Sequence, residues 1–337
     1  MLSPFDLKST YPSNDRIKKL IEGVRQDISN VLFGRDHRLV VVVGPCSIHD
    51  IASATEYAHR LITLIKKYNR QLIIVMRTYF EKPRTIGGWK GFINDPNLDS
   101  TYSISKGLSV ARQFLLNLSD MGCPCATEFL NPIITHYISD IITWGCIGAR
   151  TSESQLHREF VSGLPCPVGF KNDTYGNFEG AINSAKCSSA AHCYLGINSQ
   201  GSVSIVRTSG NANTHIVLRG GKKTYNYSRS SIDNVVNKLV STGISNKVMI
   251  DCSHGNSDKN CDNQITVVKN ICEQISYGSS NILGVMIESN LKKGSQSLNS
   301  SVLKYGVSVT DACVDWESTE NMIADLSFAV TQKRIHE

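Results

Sequence analysis

Long apolar runs are absent from this 337-residue chain. Stretches such as Leu39 to Val43 and Leu72 to Met76 fall far below the roughly 20 residues that a membrane-spanning helix needs. The opening Met1-Leu-Ser-Pro-Phe-Asp-Leu-Lys8 lacks the apolar stretch of a signal peptide and the arginine-rich look of a transit peptide. Membrane insertion and secretion are not expected; a cytoplasmic location is. Basic runs are short as well. Arg219-Gly-Gly-Lys-Lys223 stands alone without interleaved aromatics, which argues against nucleic acid as a partner. The excess of positive charge is modest, 35 Lys+Arg against 29 Asp+Glu for a net +6. Such a scatter equally serves small phosphorylated substrates. No CxxC pair occurs among the 11 cysteines, and Cys123-Pro-Cys125 is the only close pair. They read as reduced packing thiols, not as a disulfide framework or a zinc knuckle. Gly87-Gly-Trp-Lys-Gly91 lacks the spacing of a P-loop. Asp251, Ser253 and His254 stand too close in sequence to face one another as a catalytic triad.

The hydrophobic fraction of 41% suffices for a substantial core, and the varied composition excludes wholesale disorder. Short β-branched runs alternate with longer segments of helical period, the signature of βα units and a parallel sheet. Candidate strands are Leu39 to Val43, Leu72 to Arg77, Pro124 to Glu128, Cys146 to Arg150, Pro167 to Lys171, His215 to Arg219, Lys247 to Asp251 and Leu283 to Glu288. Helices are expected over Ala52 to Lys67, Pro132 to Thr143, Ile232 to Leu239, Ile265 to Ile275 and Thr319 to Val330. Eight such units point to an α/β fold, a (β/α)8 TIM barrel of typically about 250 residues. The surplus divides into an N-terminal helical extension over residues 1–35, capped near Ser13-Asn-Asp15, and an inserted β-hairpin near 194–213 around Asn198-Ser-Gln-Gly201. The barrel is then 36–337. A doubly wound open sheet is the alternative, but it leaves the eight-unit count unexplained.

Most of these runs end on a residue that can bind or react: Arg77, Glu128, Arg150, Lys171, Arg219 and Glu288. Cys46 lies just past the first strand, and Asp251 closes the seventh with His254 after it. In a barrel all of these ends face one mouth, where active sites are built. Arg77, Arg150, Lys171 and Arg219, with Lys82 and Arg84 nearby, make a cationic cluster that repels itself unless anions occupy it. Arginine's planar fork favours phosphate and carboxylate. A second subset, Cys46, His254, Glu288 and Asp311, offers a thiolate, an imidazole and two carboxylates. Mixed donors of this kind suit Mn, Fe, Co or Zn better than Mg or Ca. Singly, Cys46 reads more readily as a packed core thiol than as a ligand, and Asp311 as easily as the cap of a turn.

The strings carrying these residues are Gly44-Pro-Cys-Ser-Ile-His-Asp50, Arg77-Thr-Tyr-Phe-Glu-Lys-Pro-Arg-Thr85, Gly88-Trp-Lys-Gly91 and Gly148-Ala-Arg-Thr-Ser-Glu-Ser-Gln-Leu-His-Arg158. Further along come Pro167-Val-Gly-Phe-Lys-Asn172, Leu218-Arg-Gly-Gly-Lys222, Asp251-Cys-Ser-His-Gly-Asn-Ser257, Gly284-Val-Met-Ile-Glu-Ser289, Tyr305-Gly306 and Asp311-Ala-Cys313. In order and nearly without gaps, they resemble type I 3-deoxy-D-arabino-heptulosonate 7-phosphate (DAHP) synthases. The resemblance implies a metal-dependent transferase of the shikimate pathway, the first step of aromatic amino acid biosynthesis. Such an enzyme condenses phosphoenolpyruvate with D-erythrose 4-phosphate and water to give DAHP and phosphate. By motif, Arg150, Lys171 and Arg219 hold the phosphoenolpyruvate phosphate, and Arg77, Lys82 and Lys171 lie near its carboxylate. Arg84 and Thr85 receive the phosphate of erythrose 4-phosphate. Cys46, His254, Glu288 and Asp311 match the family's ligands for one divalent metal ion, with Mn favoured. Lys82, Glu128 and His254 are the catalytic candidates, the last two for water and proton handling. A homodimer or homotetramer is implied as well.

Departures from the family pattern occur at Asp173 and Tyr175, within Lys171-Asn-Asp-Thr-Tyr-Gly176, and at Pro165 and Asp315. Asp173 brings a negative charge beside an anion site and is expected to weaken it. The N-terminal segment is shorter than in feedback-regulated members, whose extension and surfaces near the Pro165 position help bind an aromatic amino acid. An effector (Phe, Tyr or Trp) therefore does not follow from the resemblance. Other readings are another phosphoenolpyruvate-dependent sugar-acid synthase of the same barrel superfamily, a Schiff-base aldolase using Lys171, and a non-catalytic regulatory relative. The 3-deoxyoctulosonate 8-phosphate synthases share the barrel but not the Lys82-Pro-Arg-Thr85 string.

Overall fold

Runs of β-branched residues buried on both faces form the wall of a closed parallel barrel. The computed structural model describes all residues except Thr85, Ser301 and Glu337. In chain order the strands are β1 (Leu39–Gly44), β2 (Leu72–Arg77), β3 (Cys125–Glu128), β4 (Trp144–Ile147), β5 (Val168–Lys171), β6 (Cys193–Ile197), β7 (Val203–Arg207), β8 (Thr214–Leu218), β9 (Val248–Asp251) and β10 (Ile282–Glu288). The barrel closes in the order β1-β10-β9-β8-β5-β4-β3-β2, with every pairing parallel. β6 and β7 pair antiparallel outside it as the inserted hairpin, Cys193 opposite Arg207. The helices are α1 (Pro4–Thr10), α2 (Asp15–Leu32), α3 (Ile51–Lys67), α4 (Ile104–Asp120), α5 (Pro132–Ile138), α6 (Gln155–Val161), α7 (Glu179–Ser189), α8 (Arg229–Val240), α9 (Asn263–Ser276) and α10 (Trp316–His336). This is the (β/α)8 barrel that the alternation of patterns predicts. Among the described residues, no helix is long and apolar enough to cross a membrane.

Helix α2 determines which end of the barrel stays open. Asn14 caps it, its side chain accepting from the Ile17 amide at 2.8 Å. Its apolar face, Ile28, Val31 and Leu32, joins the interior cluster of Val40, Val42, Ile73, Trp144 and Leu283. Its polar groups bind segments that precede strands: Ser29 Oγ meets Asn213 Oδ1 at 2.7 Å, and Arg25 donates to the Ile142 carbonyl at 2.7 Å. These contacts seal the N-terminal mouth. The C-terminal mouth remains for chemistry.

Several expected boundaries shift by a residue or more, and three of the shifts have a clear physical cause. The fourth strand is Trp144–Ile147 and not Cys146 to Arg150. Trp144 and Gly145 pair with Ala126 and Thr127, and the indole of Trp144 donates to His215 Nε2 at 3.2 Å inside the barrel. Gly148 to Arg150 then turn away, closed by a Thr151 amide bond to the Gly148 carbonyl at 3.0 Å. The fifth helix stops at Ile138 and tightens into a 3-10 turn over Ser139–Ile141. Arg25 takes the Ser139, Asp140 and Ile142 carbonyls there, which removes the acceptors that a continuing α-helix would use. The last helix is longer than Thr319 to Val330. Asp315 starts it, its carboxylate accepting from the Ser318 amide at 2.9 Å, so this departure from the family pattern serves as a cap.

Candidate active site

Because parallel strands all point one way, the residues at their C-terminal ends converge. A cavity of about 160 Å³ opens there, lined among others by Lys82, Arg84, Glu128, Arg150, Lys171, Arg219, His254 and Asp311. Cys46, Arg77 and Glu288 lie beneath it, each 0% exposed. Thr85 lies outside the described residues. Arg150 and Arg219 reach the cavity from loops just past β4 and β8, not from the strands themselves.

The floor is a cluster of donors. One ligand atom each from Cys46, Glu288 and Asp311 lie within 4.8 Å of one another. His254 stands beside this trio, its Nε2 3.8 Å from Glu288 Oε1 and its Nδ1 2.9 Å from Asp251 Oδ2. A thiol, an imidazole and two carboxylates at this spacing fit a divalent transition metal. The surrounding bonds hold the donors in place. Arg77 donates to the Pro45 carbonyl (3.1 Å), the Cys46 carbonyl (3.3 Å) and Glu288 Oε1 (2.8 Å). Its guanidinium lies 3.6 Å from the centre of the Tyr79 ring. Ser253 Oγ donates to Glu288 Oε2 at 2.7 Å, and Gln264 binds the Glu288 backbone on both sides. Lys82 Nζ stands 3.2 Å from Cys46 Sγ.

Charges here are set by neighbours against burial. Burial opposes ionisation of Glu288, yet His254, Arg77 and Lys82 hold its carboxyl down to about 2. Burial and the nearby Glu288 push the Cys46 thiol up, with Lys82 and Arg77 pulling the other way. For Lys82 itself, burial is outweighed by Cys46, Glu288 and Glu128, and the ammonium rises to about 12. Lys171 and Asp251 form a buried ion pair at 2.9 Å. Burial disfavours both charges, but the pair, with His254 on the same carboxylate, raises Lys171 and holds Asp251 well below the usual carboxylate range.

Asp251 is thus the residue that the sequence understates. It joins the cavity-lining Lys171 to His254, a candidate metal ligand, and only its place at a strand end hinted at this. Ser253, Gln264 and Tyr79 carried no signal beyond that of polar or aromatic core residues. The expected weakening by Asp173 finds no contact to carry it. Its Oδ1 accepts from the Tyr175 and Asn177 amides at 2.8 and 2.9 Å, an Asx turn in its own loop. Thr174, and not Asp173, lines the cavity.

Comparison with known proteins bears on the same features. The chain matches the family model described as the DAHP synthetase I family over residues 15–324. A Phe-sensitive phospho-2-dehydro-3-deoxyheptonate aldolase of Escherichia coli (strain K12) is 47% identical over 335 residues, covering 99% of this chain and 95% of its own. A Tyr-sensitive one from the same strain is 45% identical over 328 residues, covering 97% and 92%. The solved structure of phospho-2-dehydro-3-deoxyheptonate aldolase from Francisella tularensis SCHU S4 superposes with a TM-score of 0.97 at 49% identity, covering 99% of this chain and 98% of that one. By a likeness that spans nearly the whole chain in both sequence and fold, the chain belongs to the DAHP synthetase I family.

Proposed function

We infer that this chain condenses phosphoenolpyruvate with D-erythrose 4-phosphate and water to give DAHP and phosphate, the first step of the shikimate pathway. The observation that carries the reading is a cation-lined cavity set directly above a Cys46, Glu288 and Asp311 donor cluster. Arg150, Lys171 and Arg219 bind the phosphate of phosphoenolpyruvate, and Lys82, backed by the buried Arg77, holds its carboxylate. Arg84 and Thr85 take the phosphate of erythrose 4-phosphate. This ring keeps together two anions that repel each other in water and brings C3 of one to the aldehyde carbon of the other. Cys46, His254, Glu288 and Asp311 would hold one divalent ion, Mn by preference over Fe, Co or Zn, and it supplies Lewis acidity at the aldehyde oxygen when bound. Glu128 positions the water that adds at C2 as the new carbon–carbon bond forms. His254 handles a proton beside it, and C–O cleavage then releases phosphate.

The Schiff-base reading is disfavoured by the Lys171–Asp251 pair at 2.9 Å, which keeps the ammonium protonated and unfit to attack a carbonyl. Residues 1–35 act as an oligomer or regulatory extension of the barrel of 36–337, the enzyme is a cytoplasmic homodimer or homotetramer, and an aromatic amino acid is the class of effector to screen. Phe-sensitive and Tyr-sensitive relatives at 47% and 45% identity do not single one out. The deciding assay is phosphate release from phosphoenolpyruvate. Release should depend on erythrose 4-phosphate, stop with a chelator and return with Mn²⁺. Release without the aldose, release from verified metal-free protein, or a borohydride-trapped adduct on Lys171 would each overturn the reading.

A further inference from the structure

Outside the catalytic cavity lies a larger one of about 440 Å³ that shares Arg150, Arg219, His254 and Lys259 with it and adds Lys222 and Lys223. The side chains of Lys222, Lys223 and Lys259 are exposed, and among the described residues none makes a hydrogen bond or ion pair. One carboxylate, Asp258, shares the wall with them. Like charges gathered without partners around one hollow raise its potential and favour an anion there.

The walls are also built, not loose. Seven non-glycine residues of the described chain have positive φ, and four of them line this cavity: Lys223 (63°), His254 (55°), Asp258 (51°) and Lys259 (59°). Such backbone is strained for side-chain-bearing residues and persists only where surrounding bonds fix it. Those bonds are present. The Gly255 and Asn256 amides donate to the Arg219 carbonyl at 3.0 and 3.2 Å, the Lys259 amide to the His254 carbonyl at 2.9 Å, and the Lys222 amide to the Thr174 carbonyl at 3.0 Å. Buried Asn226 locks the two loops together, accepting from the Gly220 amide at 2.7 Å and donating its own amide to Asn256 Oδ1 at 3.0 Å.

We propose that this outer cavity is a second phosphate-binding site, formed by Lys222, Lys223 and Lys259, which takes the dianion of a phosphomonoester or inorganic phosphate. It rests on the reading of the inner cavity as the seat of phosphorylated substrates. The shared wall at Arg150 and Arg219 lets an anion pass between the two without leaving positive potential.

The test compares the wild-type protein with a Lys222→Gln/Lys223→Gln variant, which leaves Lys259 of the shared wall in place, in equilibrium dialysis against inorganic phosphate, with saturating phosphoenolpyruvate filling the inner site. Both proteins keep any phosphate held at Arg84, so the readout is the difference. The variant should bind an equivalent fewer, with kcat unchanged. Equal uptake by both proteins overturns the site. Two kinetic arms identify the source. If the site captures incoming substrate, the variant loses about tenfold in kcat/KM for erythrose 4-phosphate and its salt dependence flattens. If it receives the released product, kcat/KM holds and inhibition by added phosphate weakens. In a protein that does form DAHP, neither kinetic change also overturns the proposal, whatever the dialysis shows. Because dialysis needs no turnover, a protein that binds this phosphate but forms no DAHP supports the site while refuting the proposed function.

Discussion

Gly148→Ala should damage catalysis through Glu128 alone. A Cβ built on Gly148 lies 2.1 Å from Glu128 Oε1 and 3.2 Å from its Cδ, and the three nearest atoms all belong to that side chain. Ordinary contact begins near 3.4 Å, so the carboxylate oxygen must retreat by about 1.3 Å. Gly148 is not among the residues with positive φ, so the backbone tolerates alanine and the flexible carboxylate absorbs the strain. A misplacement of about 1 Å in a catalytic constellation costs on the order of 100-fold, or about 2.7 kcal/mol of transition-state stabilisation. We expect kcat for phosphate release to fall by about that factor while cooperative thermal unfolding is retained. A double-mutant cycle isolates the cause. In a Glu128→Ala background, Gly148→Ala should bring no further loss. Wild-type kcat in the single variant, or additive losses in the double one, would refute the role given to Glu128.

Two further outcomes are expected. Lys82→Ala should lower turnover by about 10³-fold or more without unfolding the protein, because Lys82 faces the cavity and Cys46 Sγ at 3.2 Å; undiminished activity removes it from the site. His215 tests the core of the barrel: burial lowers its imidazole to about 4, below an ordinary 6.5. Between those values the unfolded chain binds the proton first, so stability is full above about pH 6.5, falls as pH drops, and levels off below about pH 4. At pH 5 the loss is about 2 kcal/mol. Urea midpoints at pH 7 and pH 5 should therefore fall further for wild type than for His215→Gln, and parallel falls would contradict this origin.

The eight barrel runs are legible in sequence because strands buried on both faces need continuous β-branched residues, as in Leu39–Gly44 and Leu72–Arg77. The fourth strand starts two residues early and ends three early because its first half is Trp144-Gly145, held by cross-barrel contacts and not by its own composition. The break after Ile138 is opaque, since Arg25, which fixes it, lies far away in sequence, whereas the short helix α1 is signalled locally by its Ser3–Asp6 capping box and Pro4. The reactive residues at the strand ends are legible too, since parallel strands fix where those ends point.

By itself, then, the sequence determined the alternation of strands and helices and the side chains delivered to one mouth, for both follow from local patterning and strand direction. Only the tertiary structure decided which of those side chains meet. Arg77 reaches Glu288 across 211 residues of chain, Lys171 reaches Asp251 across 80, and Cys46, Glu288 and Asp311 assemble from separate loops. Such pairings depend on barrel closure and on burial, which sets the balance between desolvation and neighbouring charge, and neither is a property of any short stretch of residues.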